Sequence, residues 1–354
     1  MVAPSNMHHL TTGPVPGLAE PAEAAMDQQV MRDIVEQAGR APSIHNTQPW
    51  RFVAHGDALE VWTDPERGLD VLDPTGRARH LSCGAALLHA RVAAAARGYE
   101  TAVTLEPDPT QPEHLATLRV TEGAGRTAED QRLADVISER RTTRAAFSTE
   151  PLAADVVAAL QQAAHVEGCW LRLVETPDDA IAVAVLLARA DELEKADPAY
   201  RDELHRWTGR GDKARDGIPA PAAESDESPR GSTFVLRDFV SDRDIAASSP
   251  SPEEPPPAEK PLVVVLGTRD DDVRSWLEAG QGLGRLLLTA ASLGVAASPM
   301  TQPLEVPDTR ARLTAELGLL GHPQMLLRLG YGGEGGGTET PRRPVQDILT
   351  QPDE

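Results

Sequence analysis

APSIHNTQPWRF, residues 41–52, places Ser43, His45, Asn46, Thr47 and Gln48 between two apolar elements. Upstream, Val30, Ile34, Val35 and Ala38 recur at helical spacing, with Asp27 as N-cap and Gly39 as C-terminal stop, so a helix is predicted over 27–39. Downstream, Pro49 forbids further helix and residues 50–54 read as a strand. A helix-to-strand corner so rich in amides and hydroxyls has two readings. It offers donors and acceptors to a planar heteroaromatic ligand, or it is a turn that satisfies itself through Asx and Ser hydrogen bonds.

Working outward, the chain shows one element order twice. Helix, strand, long helix, strand is predicted at 27–39, 50–54, 80–97 and 115–120, and again at 153–164, 169–175, 273–293 and 324–330. Both long helices end in glycine, at Gly98 and Gly294, and Trp50 and Trp170 open the corresponding strands. Leu59 to Thr63 adds a strand to the first half. The organisation expected is a flexible tail over 1–25, a first half over 26–125, and a second half over 126–354 interrupted by a lid-like insertion at 198–260. That insertion opens with the helical YRDELHRWTGR. It continues through an ESDES run and six prolines between Pro250 and Pro261, a composition unsuited to a packed core, with FVLRDFV at 234–240 as an apolar anchor.

Four segments together resemble the flavin-dependent nitroreductase superfamily: the corner at 41–52, the arginine-rich ERRTTRAAF at 139–147, WLEAGQGLGRLLLTAASLGVAASPM at 276–300, and PRRPVQDIL at 341–349. Their order and the chain length are similar to those of Acg-like nitroreductase-related proteins. The resemblance implies an α+β nitroreductase-like fold in which two degenerate halves, fused in one chain, mimic the family's homodimer. The second half has the arginines and the SPM loop, but its own corner, AAHVEGCW, lacks the Asn, Gln and Pro. One complete composite site and one FMN per chain are therefore expected, bound by a monomer, with a homodimer left open.

By this resemblance, Arg140 and Thr142 contact the FMN phosphate, Arg144 lies toward the ribityl chain or pyrimidine edge, and Arg141 joins them in the cofactor-binding cluster. Arg342 and Arg343 close over the same phosphate. The segment 297–302, with Pro299, Met300 and Thr301, lies near the reactive ring, and Pro42, Ser43, His45, Asn46, Gln48 and Arg51 come from the corner. Arginine's planar fork suits a phosphate dianion, and apart from Glu139 neither arginine cluster has an adjacent acid in sequence. No side-chain acid or base is required, because the flavin carries the chemistry. The activity implied is hydride transfer from NAD(P)H through FMN to a small nitroaromatic or quinone-class acceptor; the alternative is an FMN storage or sequestering protein whose lid covers the flavin.

Composition bounds the rest. The net charge of −21 over 354 residues disfavours nucleic-acid backbones and anionic membranes as partners, leaving a small-molecule ligand. Gly280, Gly282 and Gly284 fall within a helical pattern and read as close helix packing, not as a nucleotide loop. Ser82 reads as a helix cap. Cys83 and Cys169 read as structural thiols, and neither a disulfide nor a zinc spacing is present. The N-terminal stretch lacks the basic and apolar regions of a signal peptide, so a cytoplasmic location is expected.

Overall fold

The structure, a computed structural model, describes residues 27–106, 108–123, 125–211, 213–219, 259–332 and 339–351. The predicted N-terminal tail, FVLRDFV, the ESDES run and most of the proline-rich stretch lie outside these residues.

The first half begins with α1 (Gln28–Ala38), capped by the Asp27 carboxylate, which accepts from the Gln29 N–H. It continues through β1 (Trp50–His55), β2 (Ala58–Thr63), α2 (Arg77–Ala95), β3 (Tyr99–Leu105) and β4 (His114–Glu122). These strands form a sheet ordered β11-β1-β2-β4-β3, where β11 (Leu349–Thr350) comes from the far end of the chain and runs parallel to β1. Side chains alternate in β1 and β2: Trp50, Phe52, Leu59 and Val61 point to a core shared with Ile34, Val35 and the alanine face of α2.

After α3 (Ala128–Asp135) the second half adds α4 (Ala154–Val166), β5 (Trp170–Val174), α5 (Pro177–Ala196), α6 (Pro198–Trp207) and the short pair β6 (Thr208–Arg210) and β7 (Ile218–Pro219). Then follow β8 (Leu262–Thr268), α7 (Val273–Ser292), β9 (Val295–Pro299), α8 (Gln302–Glu305), α9 (Pro307–Glu316), β10 (His322–Tyr331) and α10 (Val345–Ile348). Its sheet is ordered β5-β8-β10-β9 and is covered on both faces. This explains the unbroken Val263–Leu266 run in β8. The repeated element order is present, although β3, β8 and β9 were absent from the sequence prediction of the repeat.

The halves meet where α2 crosses α7. A Cβ added at Gly280 would stand 2.1 Å from the Leu81 carbonyl oxygen, and one at Gly84 would stand 2.3 Å from that of Leu277. The two backbones therefore touch through paired glycines, as expected for Gly280. Gly284 in turn receives Leu88, and Gly282 receives the Cys169 sulfur. Ser82 corrects the sequence prediction. It lies inside α2, donates to the Ala78 carbonyl and accepts from the Ile44 N–H, while Gly76, in left-handed conformation at φ 74°, stands at the N-cap.

Candidate functional site

The corner folds as a 3-10 turn over Ile44–Asn46 with three non-glycine residues at positive φ: His45 at 44°, Asn46 at 53° and Gln48 at 50°. Such a backbone costs on the order of 1–3 kcal/mol per residue and persists where its surroundings over-determine it. Here the Ser43 hydroxyl accepts from the Gln48 N–H at 3.0 Å, and the corner's side-chain amides hold two remote segments. Asn46 Nδ2 donates to Gly217 O at 2.9 Å and Pro341 O at 3.0 Å, while its Oδ1 accepts from Arg342 at 3.0 Å. Gln48 Nε2 donates to Arg215 O at 2.8 Å, and its Oε1 accepts from the Arg343 N–H at 2.8 Å.

The amides expected at a flavin edge therefore clasp the C-terminal 341–343 segment and residues 215–217 of the insertion. The 213–219 part of the insertion is fixed further by Arg67, which pairs with Asp216 at 2.9 Å and donates to Thr47 O at 2.7 Å. The Glu203 carboxylate accepts from the N–H groups of Val71 and Leu72, and Tyr200, Leu204 and Ile218 share a small core with Leu69 and Leu72.

The arginine-rich segment runs from the turn after α3 along the second sheet. Thr142 bridges Ala297 of β9, Thr143 N donates to Ala297 O at 3.0 Å, and Phe147 bridges Gly332. Arg140 is the buried member, at 7% exposure, and its guanidinium makes no hydrogen bond or ion pair with a described residue. Burial, with Arg141 adding repulsion, pushes it down to about 10. Arg342 arrives from the other end of the chain and is pushed down to about 9 by burial and by Arg140, Arg141 and Arg40. Its hydrogen-bond acceptors among the described residues are neutral: Asn46 Oδ1, Thr340 Oγ1 at 2.6 Å, and backbone carbonyls of Thr340, Pro341 and Arg40, with Nε unpartnered. A guanidinium stays protonated at neutral pH, so the Arg140 shift expresses buried positive charge with no carboxylate acting on it, while at Arg342 the nearby Glu339 offsets burial and the neighbouring arginines only in part. A cavity of about 760 Å³ opens beside this clamp, lined among others by Arg32, Glu36, Arg40, Glu339, Arg342 and Arg343.

Other expected residues are placed differently. Arg51 is exposed on β1, next to the inward-facing Trp50 and Phe52, because alternation turns it to solvent. Met300 is 1% exposed and packs with Val183, Val263 and Leu326 in the core behind the second sheet, its N–H donating to Leu326 O. Arg343 spends its guanidinium on the carbonyls of Gln48, Trp50 and Asp347, apart from the Arg140 and Arg342 pair. Arg141 donates to Ser138 O and Arg140 O and has an acid at 3.5 Å, Glu339, distant in sequence. Thr142 is exposed, Arg144, Pro42, Pro299 and Thr301 are half-buried, and His45 is buried. His89, Arg40 and Arg67 were not among the predicted site residues. For His89 the available signal was a histidine within the alanine-leucine run of a buried helix.

The family model described as "Nitroreductase family" matches residues 137–331. Two Mycobacterium tuberculosis H37Rv proteins, named "Putative NAD(P)H nitroreductase Rv3131" and "Putative NAD(P)H nitroreductase acg", are 36% and 34% identical to this chain. They match over 334 and 327 residues, which is 93% and 90% of it and 93% and 95% of theirs. A Bacteroides fragilis nitroreductase crystal structure with bound FMN is 17% identical, with TM-score 0.35 over 58% of this chain and 91% of that one. No helix among the described residues is long and apolar enough to cross a membrane. With this α+β architecture and relatives of this identity along nearly their whole length, the chain belongs to the nitroreductase family.

Proposed function

We propose that this chain binds one FMN and works as an oxidoreductase, moving hydride equivalents from NAD(P)H to a small acceptor of the nitroaromatic or quinone class. The observation that supports it most is the pair Arg140 and Arg342. They are about two hundred residues apart in sequence, yet lie within each other's field, with unpartnered Nε atoms and no carboxylate compensating Arg140. A phosphate monoester, carrying about −1.5 to −2 charge at neutral pH, supplies the missing anion and suits the guanidinium fork. FMN, when bound, supplies the ring that accepts and passes on hydride. The chain holds its phosphate with Arg140 and Arg342, and we assign Arg144, Pro299 and Thr301 to the ring end because Thr142 ties their two segments together at Ala297.

The α2–α7 crossing, the two sheets and the β11 strand donated to the first sheet support a reading of the chain as a fused pseudo-dimer, competent as a cytoplasmic monomer. A second reading, FMN sequestration, is favoured by one observation: the 215–217 segment is clasped on the corner by Asn46, Gln48 and Arg67. Anaerobic mixing of purified holoprotein with NADH or NADPH separates the two. Rapid bleaching of the flavin band supports turnover, whereas a stoichiometric flavin that bleaches only with dithionite supports storage. Protein that takes up no FMN overturns both.

A further inference from the structure

One buried polar group has no part in that reading. His89 stands in α2 among Ala85, Ala86, Leu87, Leu88 and Ala90, is 0% exposed, and neither ring nitrogen has a hydrogen-bond partner. An imidazole sealed in a helix of alanine and leucine with both nitrogens idle is costly, and buried polar groups left so call for an explanation.

Its surroundings supply one. From the turn after α3 comes Arg140, from the C-terminal clamp comes Arg342, and from α1 the Gln37 carbonyl lies near, outside hydrogen-bond geometry. No carboxylate among the described residues appears among the charges acting on His89. Burial and then Arg140 push the ring down to about 3, with the Gln37 carbonyl opposing and Arg342 adding to the effect, so at neutral pH it carries one N–H donor and no charge. Three buried side chains from three separate parts of the chain thus share one locality, each with an idle nitrogen: Arg140 Nε, Arg342 Nε and the His89 ring. All three are able to donate.

We propose that His89 is a third phosphate ligand, donating a ring N–H to the phosphate monoester held between Arg140 and Arg342. This rests on the FMN reading above. Two guanidiniums already neutralise a dianion, and a neutral donor adds a hydrogen bond without a third buried charge. A phosphate ligand at this position accounts for a polar side chain where leucine would pack.

The test uses FMN and riboflavin, which share the ring and ribityl chain and differ in the phosphate. Both are titrated into flavin-free full-length protein, wild type and His89→Leu, by flavin fluorescence. The wild type should prefer FMN strongly. His89→Leu should raise the FMN Kd about 10-fold, the scale of one hydrogen bond to a charged group, and leave the riboflavin Kd within about twofold. His89→Gln, which keeps an N–H donor, should recover part of the loss. An unchanged FMN Kd, or equal losses for FMN and riboflavin, overturns the proposal and leaves His89 as packing. A wild type that binds both flavins equally overturns the phosphate reading itself, and with it the role of His89. Should His89→Leu fail to fold, His89→Asn is read by the same ratio.

Discussion

Flavin-free protein should lose stability in acid through His89, and His89→Leu should remove that loss. A histidine ordinarily titrates near 6.5, whereas in the fold burial, Arg140 and Arg342 hold His89 at about 3. Above pH 6.5 the ring is neutral folded or unfolded and contributes nothing. As pH falls below 6.5 the unfolded chain takes up a proton that the folded chain refuses, so stability drops by about 1.4 kcal/mol per pH unit until pH nears 3. At pH 5 the loss is about 2 kcal/mol, and the full span approaches roughly 5 kcal/mol. Urea unfolding of wild type and His89→Leu at pH 7 and pH 5 isolates the effect, because carboxylate titrations common to both proteins cancel in the double difference. His89→Leu should be at least as stable as wild type at pH 7 and about 2 kcal/mol more stable, relative to it, at pH 5. Equal acid losses in the two proteins would refute the account of His89 as a sealed, uncompensated base.

Three further outcomes are expected. Arg140→Ala and Arg342→Ala should each weaken FMN binding roughly 10- to 100-fold, the scale of a charge-assisted hydrogen bond, and together give colourless protein on purification; equilibrium dialysis checks this, and a fully yellow double variant would misplace the phosphate. Arg67→Ala removes the pair with Asp216 and the bond to Thr47 O, so the clasped segment should open more often. Stopped-flow bleaching by NADH or NADPH should then be faster, and an unchanged rate would separate this latch from flavin access. Gly280→Ala forces a methyl against the Leu81 carbonyl in the α2–α7 crossing and should cost roughly 3 kcal/mol, read as a lowered denaturation midpoint.

The local signals in the sequence were strong where chemistry is local. Asp27 before a 3.6-residue period, Pro49 ahead of Trp50, and apolar periodicity determined the helices and strands of the predicted repeat, since these follow from backbone sterics and from which face must leave water. The glycines at 280–284 were legible as helix packing because a helical period ran through them. Residue type and the family resemblance directed attention to the arginine clusters, whose planar forks suit a phosphate.

Direction in space was another matter. Arg342 and Arg343 are neighbours in sequence, yet successive extended residues point oppositely, and only the fold turns one toward Arg140 and the other onto the carbonyls of Gln48 and Trp50. Arg51 and Met300 carried the right motif but face solvent and core. Asn46 and Gln48 are committed to Pro341, Gly217 and Arg215, partners some 170 to 295 residues away, which no local pattern encodes. His89 is the limiting case: the sequence alone placed it in the helix predicted over 80–97, while its burial and the meeting of that helix with Arg140 and Arg342 were decided by tertiary packing, because Coulomb forces and desolvation depend on distance through space and not along the chain.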